Sequence, residues 1–325
     1  MNPETLNGLV ARTRAAPSVH NVQPARWRIE ADAVLLVEDM SRRLTVGDPS
    51  GNDAAISLGA AAEALRLAAG EAGFTLAEER TALPALADPL RAVARYRLLP
   101  GGSADPLAAL LDKRASWRGD FAAPTPTDRE AAASLAAPDV AAVTDPARLR
   151  DLGARFDRAS YGFMRRTPFR DELRGWMRLS RRHPDWTRDG LNAEAMALGR
   201  VEALGAGLVL GPLFALLDRL RMAPVLLAEG AKVAGAAGVV LFHRPADEDP
   251  FVSGQCFHRL WLEIEALGFG AAVLAALADD RPTAGDLLAE NGIAPDRRLV
   301  SAFRIGRRTG PSHQRARLPA DEILV

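Results

Sequence analysis

The chain has 325 residues, 48% of them hydrophobic and 25% charged, which is globular composition and enough length for two domains or two halves sharing a core. Its 41 basic and 41 acidic side chains are interleaved along the chain, which excludes the basic stripe of a nucleic-acid binder. The single cysteine, Cys256, excludes an intrachain disulfide, and the start Met1-Asn2-Pro3-Glu4 has no charged, apolar leader, so a cytoplasmic location is expected.

Residues 4–15 read as a short helix. It ends in Pro17-Ser18-Val19-His20-Asn21-Val22-Gln23-Pro24, where two prolines restrict the backbone and Ser, Asn and Gln present neutral donors and acceptors. Apolar runs at 27–30 and 34–37 flank a polar turn and predict a hairpin. The turn-rich stretch 47–53 leads into an alanine-rich helix over 54–72, with Asn52 or Asp53 as its expected cap. A strand is predicted over 92–99, and the Pro/Gly/Ser/Asp-rich stretch 100–106 reads as a linker. The expected division is therefore 1–100 and 107–325.

The second part opens with a short helix at 107–111 that runs into Arg114-Ala115-Ser116-Trp117-Arg118. Further helices are predicted from Pro124 onward, over 149–164 and over 170–179, with a short strand at 140–143. Residues 203–217 are apolar and carry Gly205, Gly207 and Gly211. At about 15 residues they are too short to cross a bilayer, so the expectation is a buried helix or an apolar lid. Residues 236–242 form an unbroken apolar run, a buried strand. A helix over 250–267 ends at Gly268, and the last strand covers 299–305.

Several catalytic signatures are missing. No phosphate-binding G-x-x-x-x-G-K-[ST], no H-E-x-x-H and no G-x-S-x-G occurs, and Gly268-Phe269-Gly270 stands at the end of a helix instead of the start of one. Cys256 and His258 are two residues apart on a helix and face different ways, so no metal site is expected. What remains is anion chemistry. Arg114, Ser116 and Arg118 place a hydroxyl between two guanidiniums, which suits a phosphate or polyol, and Arg315-Ala316-Arg317 is a second basic group. The chain has only two lysines, Lys113 and Lys232.

Taken together, the Pro17-Ser18-x-x-Asn21-x-Gln23-Pro24 loop, the Arg114-x-Ser116-x-Arg118 cluster, the helix end at 265–270 and the Arg315-x-Arg317 tail resemble the nitroreductase family. The resemblance implies an α+β fold, a mixed sheet flanked by helices, and FMN as cofactor. It also implies NADH or NADPH as electron donor and a small acceptor such as a nitroaromatic or quinone, reduced in a ping-pong cycle. In that family the arginine cluster, a lysine and the basic tail hold FMN, and the Pro-Ser loop arrives from the partner subunit. Carried onto this chain, the cofactor set is Arg114, Ser116, Arg118, Pro17, Ser18, Asn21, Gln23, Lys232, Leu274, Ala275, Ala276, Arg315 and Arg317. Lys232 would reach the flavin pyrimidine edge, and no side chain acts as a catalytic acid or base.

The order departs from the family pattern, because the cluster here follows the loop by almost 100 residues. That resembles the long, fused Acg-type branch, two halves forming an internal pseudo-dimer in one chain, as a monomer or weak homodimer. Trp27 is displaced from its family place after the proline, and Ala275 stands where many members carry glutamate. The second expectation is a relative without turnover that sequesters flavin or another ligand, or has an empty site.

Overall fold

A computed structural model describes residues 3–311 and 316–325. Helix α1 (Pro3–Thr13) leads through the Pro17–Pro24 loop to strands β1 (Ala25–Ile29) and β2 (Ala33–Asp39). Then come helix α2 (Asn52–Glu71) and strands β3 (Phe74–Glu79) and β4 (Leu90–Pro100). These strands form one antiparallel sheet in the order β1-β2-β4-β3. Strand β2, Ala-Val-Leu-Leu-Val-Glu-Asp, is buried from Ala33 through Glu38, as a central strand must be. Edge strand β3 alternates weakly and carries Glu78 and Glu79, which is why its sequence gives no strand signal.

The second part comprises α3 (Pro126–Ala133), β5 (Val140–Val143), α4 (Pro146–Arg165) and α5 (Thr167–Trp176), then the two-residue strands β6 (Met177–Arg178) and β7 (Leu191–Asn192). Four short helices follow: α6 (Arg200–Val209), α7 (Phe214–Arg219), α8 (Ala223–Leu226) and α9 (Gly230–Ala234). The chain ends through β8 (Gly238–Pro245), α10 (Pro250–Ala266), β9 (Gly270–Val273), α11 (Ala275–Asp279), α12 (Arg281–Glu290) and β10 (Arg297–Gly306). Strands β5-β8-β10-β9 make a second antiparallel sheet. The architecture is α+β, with helices on both four-stranded sheets.

The two sheets meet through their helices. Leu58, Leu65 and Leu67 of α2 pack on Trp27, Leu36 and Tyr96 of the first sheet. Phe257, Leu260, Trp261 and Ile264 of α10 pack on Val240, Phe242 and Phe303 of the second. Helices α2 and α10 then press against each other at backbone distance. A Cβ on Gly59 would lie 1.9 Å from the Phe251 carbonyl oxygen, and one on Gly254 would lie 2.2 Å from that of Ile56. His258 completes the seam, its Nδ1 2.7 Å from the Ala60 carbonyl oxygen.

Two expectations change here. The cap of α2 is Gly51, at φ +73°, instead of Asn52 or Asp53. The Asp48 carboxylate accepts from the Ala54 N–H at 2.9 Å and does the capping work from a distance, which leaves the Asp53 side chain free of it. The apolar stretch 203–217 is not one buried helix. It breaks at Gly211-Pro212 into α6 and α7, and Leu204 and Leu216 are exposed.

Candidate functional site

The Pro17–Pro24 loop has an unusual backbone. His20, Asn21 and Gln23 all take positive φ, at 43°, 56° and 52°. Three such non-glycine residues in four positions store strain that the surroundings must hold. The bonds that hold it are visible. Asn21 Nδ2 donates to the carbonyls of Gly190 and Ala316, both at 3.1 Å, and its Oδ1 accepts from Arg317 Nη1 at 2.5 Å. Gln23 Nε2 donates to the Arg188 carbonyl at 2.8 Å, while its Oε1 accepts from the Leu318 N–H at 3.0 Å. Ser18 Oγ accepts from the Gln23 N–H at 2.9 Å. The loop is therefore locked between the 188–190 turn and the C-terminal tail.

Residues 114–118 run beside β9, where the Trp117 N–H donates to the Ala271 carbonyl at 2.7 Å. Arg114 is buried, lies 4.5 Å over the Trp261 ring and donates to the Ala15 carbonyl at 2.7 Å. That bond ties the cluster to the residues just before the loop. The two segments and the helix seam enclose a cavity of about 420 Å³. Pro17, Ser18 and Asn21 line it on one side, and Arg114, Ser116 and Arg118 on another. Ala275, Ala276 and Arg317 complete the set of predicted residues on its wall.

Three predicted residues are elsewhere. Gln23 is spent on the brace just described. Lys232 lies off the wall because α9 is a single turn whose preceding residue, Glu229, captures its Nζ at 2.8 Å. Leu274 is buried behind the wall, in the core with Val239 and Leu241. Arg315 lies outside the described residues.

Other lining residues have no motif. Phe156, Phe163 and Met164 of α4 and Phe169 and Leu173 of α5 form an apolar wall. Their spacing follows the amphipathic period of those helices, a signal that was available but equally reads as core. Asp53 and Asp279 face the same cavity from α2 and α11. Burial, with Asp279 and Asp48 beside it, pushes Asp53 up to about 7. Loss of bulk water and the charge of Asp48 raise Asp279 to about 6. Burial and the positive charge of Arg118 hold His20 down at about 4, so its imidazole is neutral near pH 7.

Arg118 is the least satisfied cation on the wall. Among the described residues its one hydrogen bond is a long 3.5 Å contact to the Ala195 carbonyl, and it makes no ion pair. Burial lowers its pKa, with Glu229 the opposing influence. A guanidinium that makes no ion pair among the described residues, with the Glu229 carboxylate on the same cavity acting on it only through its charge, fits with the neighbouring Ser116 hydroxyl an anionic group such as a phosphate. The apolar wall fits a flat ring system. Among the described residues no group of three His, Cys, Asp or Glu could hold a metal ion.

No family model matches the chain. Over 75 residues it is 43% identical to a Mycobacterium tuberculosis protein named for NAD(P)H nitroreductase activity, Acg, a match covering 23% of this chain and 22% of that relative. The chain is thus similar to an Acg-type nitroreductase, across about a fifth of that protein's length. Two solved structures resemble it more loosely. One, from Anabaena variabilis and classed with the nitroreductases, has a TM-score of 0.45 at 13% identity and covers 94% of this chain and 88% of that one. The FMN-dependent nitroreductase NfnB from Mycobacterium smegmatis, in complex with NADPH, has a TM-score of 0.34 at 19% identity and covers 62% and 86%.

Proposed function

We propose that this cavity binds FMN and that the chain is an NAD(P)H-dependent oxidoreductase of nitroreductase type, with the two sheet-and-helix units acting as an internal pseudo-dimer around one site. The observation that carries the reading is Arg118, an enclosed guanidinium without a carboxylate partner among the described residues, beside Ser116 and facing an apolar wall. The sequence likeness to Acg supports the same chemistry.

In this reading Arg118 and Ser116 take the FMN phosphate, a charge-assisted contact stronger than a neutral one. Arg317, oriented by Asn21, adds a second cation. Arg114 acts through Trp261, fixing the indole that lines the cavity. Ala275 and Ala276 let the wall approach a ring closely because they carry only a methyl group. FMN held there would supply two-electron hydride chemistry between NAD(P)H and an acceptor. The protein's share is to hold the ring, admit a small acceptor along the Phe163–Phe169 wall, and exclude bulk water.

A second reading has its own observation. Asn21 and Arg317 satisfy each other, and a site whose polar groups bond internally needs no ligand. In that case the chain is a nitroreductase-like protein without turnover, sequestering a ligand or holding none. Absorbance of the purified protein separates the two. Bands near ~370 and ~450 nm that bleach on addition of NAD(P)H are expected of the enzyme. Flavin bands that persist under NAD(P)H support the sequestering form. A colourless protein that takes up no added FMN contradicts the first reading.

A further inference from the structure

Among the described residues, nine of the twelve large apolar side chains exposed to solvent fall between Val201 and Leu226. Val201, Val225 and Leu204 are 84%, 77% and 69% exposed. This segment is held down on its inner side. Ala203, Leu210, Phe214 and Ala223 are buried, the Arg170 guanidinium lies 4.0 Å over the Phe214 ring, and Tyr161 donates to Asp218. The outer face is thus a folded surface, and nine exposed large apolar side chains within 26 residues are clustered where single scattered ones are the norm.

Charge surrounds that face unevenly. Arg200, Arg219 and Arg221 are exposed within it, and exposed Arg165 stands 3.5 Å from Asp218. The exposed acid of the segment, Glu202, is occupied in accepting from the Gly199 N–H at 2.7 Å. Four exposed arginines, Arg165, Arg200, Arg219 and Arg221, thus stand around this face against the exposed Glu202 and the half-buried Asp218.

We propose that helices α6–α8 dock the protein on the surface of an anionic lipid bilayer. Leucine and valine side chains enter the headgroup–acyl boundary, and arginine stems lie along them with guanidiniums at the phosphate level. The composition favours lipid over a protein partner. The exposed large apolar set in this segment is aliphatic or methionine, and Phe214, its aromatic residue, is buried, whereas protein interfaces concentrate their energy in Trp, Tyr and Arg. The helices are short and broken at Gly211-Pro212 and again at 220–222, so they lie on a surface; no helix among the described residues is long and apolar enough to cross a membrane. On the other side of this layer, Phe163, Met164 and Leu173 line the cavity. Docking then sets the cavity beside lipid and points to a lipid-partitioning acceptor of the quinone class. That last consequence rests on the flavin reading; the docking itself does not.

The test is co-sedimentation of the full chain with vesicles of phosphatidylcholine alone and of phosphatidylcholine with phosphatidylglycerol. The expected result is binding to the anionic vesicles at least about tenfold tighter than to the neutral ones, weakening as salt is raised. Val201→Ser/Leu204→Ser/Val225→Ser should abolish binding to both, and Arg219→Glu/Arg221→Glu should remove the anionic preference. Circular dichroism checks that each variant is folded, and FMN affinity, measured separately, reports on the flavin reading alone. No binding by the wild-type chain, or equal binding by the folded serine variant, overturns the proposal. So does a wild-type dimer in sedimentation equilibrium that the serine variant converts to monomer while vesicles capture neither, since the occupant is then a second copy.

Discussion

Helix α2 and the α6–α7 pair are written in nearly the same alphabet. One reads Asn-Asp-Ala-Ala-Ile-Ser-Leu-Gly-Ala-Ala-Ala-Glu-Ala-Leu, the other Arg-Val-Glu-Ala-Leu-Gly-Ala-Gly-Leu-Val-Leu-Gly-Pro-Leu-Phe. Yet α2 is the most enclosed helix of the molecule, and α6–α7 carries its most exposed apolar surface. The difference lies in what each helix has to face. Gly59 lets α2 touch the α10 backbone, with no room for a methyl group. Gly205 has nothing within 4 Å of where its Cβ would stand. Small and apolar residues thus permit close packing without ensuring it; a complementary surface elsewhere in the fold decides.

Substitutions can break or sharpen that contrast. The largest effect is expected at the seam. Gly59→Ala puts a methyl group into the Phe251 carbonyl and should cost about 3 kcal/mol or more, read as a fall in the urea midpoint. A change below about 1 kcal/mol would show that the seam is looser than its distances imply. Next is Asn21→Ala, which leaves the Gly190 and Ala316 carbonyls and Arg317 without its amide. It should cost about 2 kcal/mol in the same measurement.

The third prediction concerns pH. The folded-state pKa of Asp53 lies above its ordinary value, at about 7 against 3.8. The folded chain therefore binds the proton more tightly than the unfolded chain, and stability is lost as pH rises through that window. Asp53→Asn removes this loss and should gain up to about 2 kcal/mol more at pH 8 than at pH 5, after discounting for solvent reaching the cavity. A pH-independent difference between variant and wild type would mean that Asp53 is solvated like a surface carboxylate. The smallest effect is at the exposed helix. Gly205→Ala meets no neighbour and should stabilise by about 0.5–1 kcal/mol through backbone entropy and helix propensity alone.

The same contrast explains what could be read from sequence. The hairpin of β1 and β2, helix α2, β8 and β10 were legible because their apolar periods are long and uniform. Strands β3 and β9 were not: one is a charged edge, and the other has four residues, Gly-Ala-Ala-Val, with no preference to show. The expectation of a buried helix or an apolar lid over residues 203–217 followed from composition, which is silent on whether a partner face exists. In the cavity, Pro17, Ser18, Asn21, Arg114, Ser116 and Arg118 were readable as two local clusters, and the fold brings both to one cavity. Asp53 and Asp279 were not, because they are far apart in sequence and come near each other only at the cavity that both line. Lys232 stands off the lining, on the one-turn helix α9, where Glu229 just before the helix accepts from its Nζ.

The central claim is that Arg118 makes the cavity an anion-binding flavin site, and FMN titration tests it most directly. Quenching of flavin fluorescence should give saturable, one-to-one binding for the wild-type chain. Arg118→Ala should weaken it by at least about tenfold, the loss of one charge-assisted contact. Circular dichroism should show the variant folded. Equal FMN affinity in the two proteins, or no FMN uptake by the wild-type chain, would contradict the account.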